Sequence, residues 1–392
     1  MADEISVLIV DDSALMRNLI GRMIEATPGL AVAEKAMNGF FALQKIPRVM
    51  PDVVCLDLEM PEMNGIEFLK ERKKQGIDIP VIILSSVAER GAAITMEALS
   101  LGASDFVTKP SGAISADIHT VADQLTSLLI AYGGQYRRTK GKRVLAPEEY
   151  THKPQPGGEG KKPLFSHTFG LFGGPAASGE PALPPVQIRR PGKIEIIAIG
   201  ISTGGPDALR KVFADLDPNL KQPILVVQHM PAGFTLEFAR SLNRVCPLEV
   251  KEGEEGDILT PGWAYIAPGN KHIEVERKDG AGVLHLSDAP LVSGHRPSVD
   301  VLFASVAMTY TNHALGVIMT GMGRDGAQQL GTIYKEGGVT LGQDEATAVV
   351  YGMPRVAWEM GHVMEQVPLE NMGRRICQVA GENRYGESGG IR

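Results

Sequence analysis

The sequence predicts an α/β protein with two domains, each built on a parallel β-sheet covered by helices. Two observations predict this fold class. Short apolar runs of strand length alternate with segments of helical periodicity in both halves of the chain, which is typical of parallel sheets. A segment rich in glycine and proline separates the halves. At 392 residues the chain is also too long for one ordinary core.

Composition limits the class of function. Apolar residues make up 43% of the chain and charged residues 22%, as in soluble globular proteins. The formal net charge of −7 argues against nucleic acid as a partner, because binding it requires a basic face. The three cysteines, Cys55, Cys246 and Cys377, show neither a pairing pattern nor metal-ligand spacing. The acidic N-terminus is unlike a signal peptide, and no apolar run is long enough to cross a bilayer. We therefore expect a cytoplasmic protein that is not inserted in a membrane, and we expect a monomer.

The N-terminal domain is predicted to span residues 1–132 and to contain five strand–helix units, hence a doubly wound sheet of five parallel strands. The predicted strands are 5–10, 31–37, 53–56, 81–84 and 105–107. The predicted helices are 15–24, 39–46, 65–75, 89–101 and 115–131. Functional sites in this architecture lie at the carboxyl ends of the strands.

Five polar side chains follow these predicted strand ends: Asp11 and Asp12, Asp57, Ser85 and Lys109. Three carboxylates in one crevice repel one another unless a cation neutralises them, and ligands that are all oxygen favour Mg²⁺. A carboxylate also accepts a phosphoryl group as an acyl phosphate, which a metal and a lysine stabilise. The alternative is that these acids are helix caps and solvated loop charges. Five such groups on successive strand ends argue against that alternative.

Residues 1 to about 131 resemble a response-regulator receiver domain, which has the flavodoxin-like fold. The segments that carry the resemblance are 10–17 (VDDSALMR), 56–65 (LDLEMPEMNG), 84–86 (LSS) and 108–110 (TKP). The residues that the resemblance assigns to a phosphorylation site are Asp57 as phospho-acceptor, Asp12 and Asp57 as direct Mg²⁺ ligands, Asp11 as a ligand through water, and Ser85 and Lys109 as contacts of the phosphoryl group. Phe106 stands where the family usually has an aromatic switch residue, although a core phenylalanine is an equal alternative.

Residues 133–192 are predicted to form a linker, because glycine and proline supply 11 and 9 of these 60 residues. Five basic residues near its start are interpreted as solubilising charges: Arg137, Arg138, Lys140, Lys142 and Arg143. The apolar segment 164–172 is unusual in a linker and could dock on a domain or a partner. The second domain is predicted to span 193–380, with a flexible tail at 381–392.

The second domain is predicted to begin with a buried strand, 194–199, that ends in a glycine-rich turn and a helix at 207–215. Ser202 lies on this turn, within the pattern Gly-x-Ser-x-Gly that is typical of an exposed nucleophile. The free N–H groups and dipole of the helix start would favour an oxyanion nearby. A phosphate-binding turn or a plain tight turn is an equal alternative at this point.

The rest of the second domain continues the α/β pattern, with a β excursion in the middle. The other predicted strands are 223–229, 248–251, 263–267, 272–276, 283–286 and 314–319, and the other predicted helices are 233–243, 298–308 and 325–334. Like Ser202, His229 and Asp325 lie at the carboxyl ends of strands, so we expect the three to meet at one edge of the sheet. A serine nucleophile needs an imidazole base, which in turn needs a carboxylate. The chain order Ser, His, Asp differs from that of α/β-hydrolases.

Each of these residues has a simpler alternative. Ser202 and Asp325 could be helix caps, and His229 could be a core histidine. The loop 320–326 could cradle a phosphate or supply backbone donors to an oxyanion, and we favour the second, with the Met322 N–H as one donor. Four other histidines of this domain lack metal-ligand spacing and are interpreted as structural: His272, His285, His295 and His313.

Residues 193 to about 365 resemble the catalytic domain of chemotaxis protein-glutamate methylesterases, the CheB family, which has a Rossmann-like parallel α/β fold. The segments that carry the resemblance are 200–205 (GISTGG), 228–234 (QHMPAGF), 265–272 (YIAPGNKH), 295–303 (HRPSVDVLF) and 320–327 (TGMGRDGA). The resemblance implies hydrolysis of glutamyl methyl esters, and deamidation of particular glutamines, on methyl-accepting chemoreceptors. It implies a chemotaxis histidine kinase as phosphodonor and no cofactor for the esterase chemistry. Two alternative functions are a phospho-dependent binding protein and a nucleotide-binding output domain. The second is disfavoured because the Gly-x-Gly-x-x-Gly fingerprint is missing.

Overall fold

The computed structural model describes residues 3–85, 89–109, 118–144 and 190–381. These residues form two α/β domains that pack against each other. The predicted apolar segment 164–172 and the tail after position 381 lie outside the described residues. No helix in the described part of the chain is long and apolar enough to cross a membrane.

The N-terminal domain is a sheet of five parallel strands, as predicted, and the structure shows the strand order β2-β1-β3-β4-β5. Its elements are β1 (Ile5–Val10), α1 (Ala14–Ala26), β2 (Leu30–Ala36), α2 (Gly39–Val49), β3 (Val53–Asp57), α3 (Gly65–Lys74), β4 (Val81–Ser85), α4 (Glu89–Ser100), β5 (Asp105–Thr108) and α5 (Ile118–Thr139). The inner strands β3 and β4 are buried along their whole length, which explains why they read as continuous apolar runs.

Helix α5 continues beyond the predicted start of the linker at position 133. It passes through Gly133 and ends at Thr139. A Cβ added at Gly133 would lie 2.4 Å from Cγ2 of Ile5, so the missing side chain lets the helix approach β1. Gly133 therefore serves close packing within a helix, and the predicted start of the linker at position 133 is wrong.

Several of the basic residues at the end of α5 form ion pairs, and for the buried Arg137 the interpretation as a solubilising charge is wrong. Arg137 is buried, and its Nη1 lies 2.9 Å from Oδ2 of the buried Asp52. Lys142 pairs with the other oxygen of Asp52 at 2.9 Å, and Lys140 pairs with Asp78 at 2.7 Å. These contacts hold the end of α5 against the rest of the first domain.

The C-terminal domain has a seven-stranded sheet in the order β14-β13-β12-β6-β7-β9-β8, with every neighbouring pair parallel. Its strands are β6 (Ile196–Ile201), β7 (Ile224–Gln228), β8 (Glu249–Glu252), β9 (Trp263–Ile266), β10 (His272–Lys278), β11 (Ala281–Ser287), β12 (Ala314–Ile318), β13 (Val339–Gln343) and β14 (Glu365–Val367). Its helices are α6 (Gly205–Ala214), α7 (Phe234–Asn243), α8 (Val299–Tyr310), α9 (Ala327–Lys335), α10 (Met353–Glu359) and α11 (Leu369–Gly381).

The predicted β excursion is confined to the antiparallel hairpin β10–β11. The two strands before it, β8 and β9, were predicted as part of the excursion but extend the parallel sheet beyond β7. The order β12-β6-β7 at the centre of the sheet brings the carboxyl ends of three strands side by side. Those are the strands that precede Asp325, Ser202 and His229.

The two domains meet along β5 and α4 of the first domain and α6 and α7 of the second. Phe106 stacks on Phe234, with ring centroids 4.9 Å apart and planes within 11°. The carboxylate of Asp105 accepts a hydrogen bond of 2.9 Å from the Gly204 N–H, at the start of α6. Burial raises the pKa of Asp105 to about 6, although this bond and one from the Phe106 N–H oppose the rise. Phe106 is thus an interface residue between domains.

Candidate active site

Ser202 lies between the end of β6 at Ile201 and the start of α6 at Gly205. Its backbone N–H donates to the Thr320 carbonyl at 3.0 Å, which ties the turn to the loop after β12. Gly204 adopts φ of +80°, a left-handed conformation that few residues other than glycine tolerate. The turn therefore presents the hydroxyl at the edge of the sheet, as the glycine spacing predicts.

His229 follows β7 and contacts both other members of the predicted triad. Its Nδ1 lies 3.1 Å from Oγ of Ser202, and its Nε2 lies 2.8 Å from Oδ2 of Asp325. An ionised carboxylate only accepts hydrogen bonds, so Nε2 carries the proton and Nδ1 is the acceptor that faces the hydroxyl. The two ring nitrogens are used in the opposite sense from the serine-protease triad.

Asp325 is almost completely buried and accepts four hydrogen bonds. Besides His229, the donors are the Ser298 hydroxyl at 2.7 Å, the Val299 N–H at 2.7 Å and the Asp300 N–H at 3.2 Å. Burial alone would raise the pKa of Asp325, but the bond and charge of His229 and the other donors hold the pKa below its usual value. Asp325 therefore caps α8, whereas the alternative suggested by the sequence was a cap on α9.

Asp300, in the first turn of α8, caps α9 in return. Its Oδ1 accepts from the Gln329 N–H at 3.1 Å. Burial raises the pKa of Asp300, and the nearby charge of Asp325 raises it further. Hydrogen bonds from the backbone N–H groups of Gln329 and Gly326 lower this pKa but do not cancel the rise. The reciprocal caps lock the start of α8 to the start of α9 and so fix the Asp325 carboxylate.

His295 stacks directly on the His229 ring, which the sequence did not predict. The ring centroids are 3.7 Å apart and the planes differ by 11°. Burial and the charge of His229 lower the pKa of His295 to about 4, so this ring is neutral near pH 7. No spacing pattern marks His295 in the sequence, because its partner His229 lies in a distant part of the chain.

Gln228 joins the backbone of the serine turn to that of the histidine strand. Its Nε2 donates to the Ser202 carbonyl at 3.0 Å and to the His229 carbonyl at 3.1 Å. The side chain is buried. The last residue of β7 thus helps to set the distance between the two side chains that follow β6 and β7.

The loop after β12 lies beside Ser202 and contains Met322. The neighbouring Gly321 uses its N–H and its carbonyl in bonds to Val350 and Met353. The Met322 N–H has no hydrogen-bond partner among the described residues, and neither does the Thr203 N–H. Met322 also exposes 47% of its surface at the rim of the site.

A cavity of about 710 Å³ opens over these side chains. Its catalytic-domain wall includes Ser202, His229 and Met322, and its opposite wall is formed by residues of the first domain, among them Phe106 and Leu128. The site therefore lies at the boundary between the domains.

The predicted phosphorylation site lies at the carboxyl ends of β1, β3 and β5. One carboxylate oxygen from each of Asp11, Asp12 and Asp57 lies within 4.8 Å of the others. Lys109 Nζ lies 2.8 Å from Oδ2 of Asp57 and 3.2 Å from Oδ2 of Asp11. Burial opposes the charge of Lys109, but the two carboxylates outweigh burial and raise its pKa. The pKa of Asp57 is raised, because the effect of burial is larger than the opposing effect of the Lys109 charge.

Ser85 lines a small cavity of about 40 Å³ together with Asp57 and Lys109. Its hydroxyl lies 2.6 Å from the Thr95 hydroxyl of α4. The three carboxylates offer only oxygen donors, and this donor set fits a divalent cation of the Mg²⁺ type. The structure thus brings together all five side chains that follow the predicted strand ends.

The fold and the two sites define a class of protein: a receiver domain followed by an α/β domain that carries a serine–histidine–aspartate cluster. Sequence profiles agree with both parts. The profile "Response regulator receiver domain" matches residues 7–119, and the profile "CheB methylesterase" matches residues 197–376.

Two relatives match nearly the whole chain. A protein of Treponema denticola named protein-glutamate methylesterase/protein-glutamine glutaminase is 57% identical over 98% of this chain and 99% of its own length. A protein of Treponema pallidum with the same name is 52% identical, with 98% of each chain covered. The solved catalytic domain of the Thermotoga maritima CheB methylesterase is 35% identical, with 47% of this chain and 98% of that domain covered and a TM-score of 0.47. The chain belongs to the CheB family of protein-glutamate methylesterases/protein-glutamine glutaminases.

Proposed function

We propose that this chain is a phosphorylation-controlled esterase that removes methyl groups from glutamyl side chains of methyl-accepting chemoreceptors and deamidates particular glutamines there, so that the receptors adapt. The observation that carries the proposal is the continuous contact from the Ser202 hydroxyl through His229 to the buried Asp325 carboxylate. The names of the relatives support methyl-esterified glutamates and glutamines of a protein as substrates.

In the proposed mechanism Ser202 Oγ attacks the ester carbonyl while Nδ1 of His229 takes the hydroxyl proton. Asp325 holds the proton on Nε2 and stabilises the imidazolium that forms. When the tetrahedral intermediate collapses, the acyl C–O bond breaks and His229 passes its proton to the departing methanol. Water then hydrolyses the acyl-enzyme by the same proton transfers, which leaves a glutamate. For a glutamine substrate the leaving group is ammonia.

The negative oxygen of the intermediate needs hydrogen-bond donors that are already in place. The Met322 N–H is our proposed donor, because it lacks a partner in the described structure and lies on the loop that contacts the serine turn. The Thr203 N–H is a second, because it directly follows the nucleophile and is also unpaired within the described residues. Removal of one such donor typically slows catalysis by about a hundredfold to a thousandfold.

In this proposal the receiver domain controls the activity of the esterase domain. Asp57 accepts a phosphoryl group from the chemotaxis histidine kinase, and Lys109 contacts the phosphoryl oxygens together with Ser85. Asp12 and Asp57 would hold Mg²⁺ directly and Asp11 would hold it through water, and the ion would neutralise the negative charge of the transferring group. The receiver forms one wall of the cavity over Ser202, and its phosphorylation shifts the population towards forms in which that wall has moved away.

The domain organisation is part of the proposal. A receiver that ends with α5 is followed by a glycine- and proline-rich linker, the catalytic domain and a C-terminal tail. The enzyme works as a cytoplasmic monomer beside the receptor array. A chain that starts at Gly192 should act on receptors faster than the unphosphorylated whole chain, because the covering wall is gone. An equal or lower rate would exclude simple occlusion.

Release of methanol from methylated receptor membranes tests the proposal, with ammonia release as the second readout. The intact chain should release both, and phosphodonor with Mg²⁺ should raise the rates. Ser202→Ala should abolish both activities while the receiver is still phosphorylated. If Ser202→Ala retains full activity the assignment fails, and if the wild type releases neither product the binding-protein rival is favoured.

A further inference from the structure

We propose a further activity at this site: hydrolysis of small, neutral carboxylic esters while the receiver is still docked. The receiver then excludes receptor-linked esters by their size and leaves the catalytic groups unchanged. This inference rests on the proposed esterase function and adds a substrate class, short-chain esters of small alcohols or phenols, whose turnover is independent of phosphorylation.

The first support is that the catalytic side chains are already assembled in the docked arrangement. Ser202 Oγ and His229 Nδ1 are 3.1 Å apart, and His229 Nε2 and Asp325 Oδ2 are 2.8 Å apart. Within the described residues, the other hydrogen bonds to the Asp325 carboxylate also come from the catalytic domain, from residues at the start of α8. These hydrogen bonds of His229 and Asp325 are all made within the catalytic domain.

The second support is a docking contact close to the nucleophile. The Asp105 carboxylate accepts a hydrogen bond from the backbone N–H of Gly204, which lies two residues beyond Ser202. The Thr203 N–H and the Met322 N–H remain without partners in the described structure. The receiver carboxylate therefore occupies the start of α6 but leaves the two proposed oxyanion donors available.

The third support is the size of the space between the domains. The cavity over Ser202 has a volume of about 710 Å³, within the range of about 300–1,000 Å³ that is usual for small-molecule sites. Ten residues of a helix, about 15 Å long and about 11 Å across with side chains, occupy about 1,400 Å³. A short ester fits in the docked form, whereas a receptor segment as large as ten residues of a helix requires the receiver to move.

The chemical class follows from the cavity walls. Apolar side chains line much of the space beside the triad, among them Met230, Leu291 and Leu128. Asp105 and Asp123 of the receiver also line the cavity and outnumber Arg296, so the lining would repel an anionic acyl group. Neutral acyl groups are therefore favoured over dicarboxylic half-esters.

The reaction uses the same steps as the proposed receptor reaction. Ser202 forms an acyl ester as the acyl C–O bond of the substrate breaks, and His229 delivers the serine proton to the departing alcohol or phenol. Water supplies the hydroxyl of the acid product and returns a proton to Ser202. Ester and water are consumed, and acid and alcohol are formed.

The test measures two substrates on the same preparation of the whole chain. The small probe is p-nitrophenyl acetate, and the large one is methylated receptor membrane with methanol release as the readout. Each is measured with and without phosphoramidate and Mg²⁺, and phosphoramidate is chosen because it is not an acyl compound. Ser202→Ala supplies the background rate. In Asp57→Asn, phosphoramidate should no longer change the receptor rate, which controls for direct effects of the phosphodonor.

We expect Ser202-dependent hydrolysis of p-nitrophenyl acetate in the unphosphorylated chain, changed by less than about twofold on phosphorylation. Methanol release should rise several-fold under the same conditions. In a series of p-nitrophenyl esters of increasing chain length, dependence on phosphorylation should appear once the acyl group exceeds the cavity.

Two results would overturn the inference. An equal rise for both substrates would mean that the docked receiver disturbs the catalytic groups themselves. Absence of Ser202-dependent p-nitrophenyl acetate hydrolysis in both states, while methanol release continues, would mean that the cavity does not admit small esters. The second result leaves the proposed receptor function intact, whereas loss of Ser202-dependent methanol release would contradict that function itself.

Discussion

Replacement of Asp325 by alanine should lower both the activity and the stability of the catalytic domain. The carboxylate accepts hydrogen bonds from His229, from the Ser298 hydroxyl and from the Val299 N–H, and it is 1% exposed. Loss of a helix cap costs about 1 kcal/mol, and buried donors left without an acceptor cost about 1–3 kcal/mol. We expect a loss of about 3 kcal/mol in the free energy of unfolding, which corresponds to about 6–12 °C in Tm for a domain of this size.

The kinetic effect of the same substitution should be larger. Without the carboxylate, His229 loses the partner that fixes its tautomer and stabilises its positive charge, and kcat should fall by about a thousandfold or more. Ser202→Ala is the matched control, because it should remove activity and leave Tm nearly unchanged. Thermal unfolding followed by calorimetry and methanol release from receptor membranes measure the two effects.

The pH dependence of that stability difference follows from the lowered pKa of Asp325. A carboxylate whose pKa is lower in the folded state contributes stability above its ordinary pKa, and this contribution is lost as the pH falls through the folded value. The Tm difference between wild type and Asp325→Ala should therefore persist down to about pH 4 and shrink below it. A wild-type Tm for Asp325→Ala at pH 7 would refute the reasoning.

Three further predictions follow from contacts that the sequence did not indicate. His295→Phe should keep most of the activity, because a ring still stacks on His229. His295→Ala should lower kcat about tenfold or more with little change in KM. Equal loss of activity in both variants would contradict a positioning role for His295. An NMR titration of His295 should give a pKa near 4, and because this pKa lies below the unfolded value of 6.5, its stabilising contribution should decline as the pH falls from 6.5 towards 4. Arg137→Ala should destabilise the receiver by about 3 kcal/mol in chemical denaturation, because it leaves the Asp52 carboxylate buried with one ion-pair partner fewer.

Much of the fold was predictable because the strands of parallel sheets are buried on both faces. The runs at β1, β3 and β4 appear in the sequence as largely apolar segments, and their ends mark Asp11, Asp57 and Ser85. The positions of Ser202, His229 and Asp325 were predictable for the same reason, since each follows such a strand.

The features that were missed depend on contacts between distant residues. Gly133 looks like a helix breaker in the sequence, and its packing on Ile5 is visible only in the structure. Strands β8 and β9 are short, so periodicity could not tell whether they join the main sheet. The stacking of His295 on His229 has no local pattern, because loops far apart in the chain bring the two rings together.

The central claim is that His229 activates Ser202 as the nucleophile of the esterase. Covalent labelling with a fluorophosphonate, followed by mass spectrometry of the digested protein, tests it directly. The label should be found on Ser202 in the wild type and should form far more slowly in His229→Gln. Labelling of a different residue, or labelling of Ser202 at the wild-type rate in His229→Gln, would contradict the account.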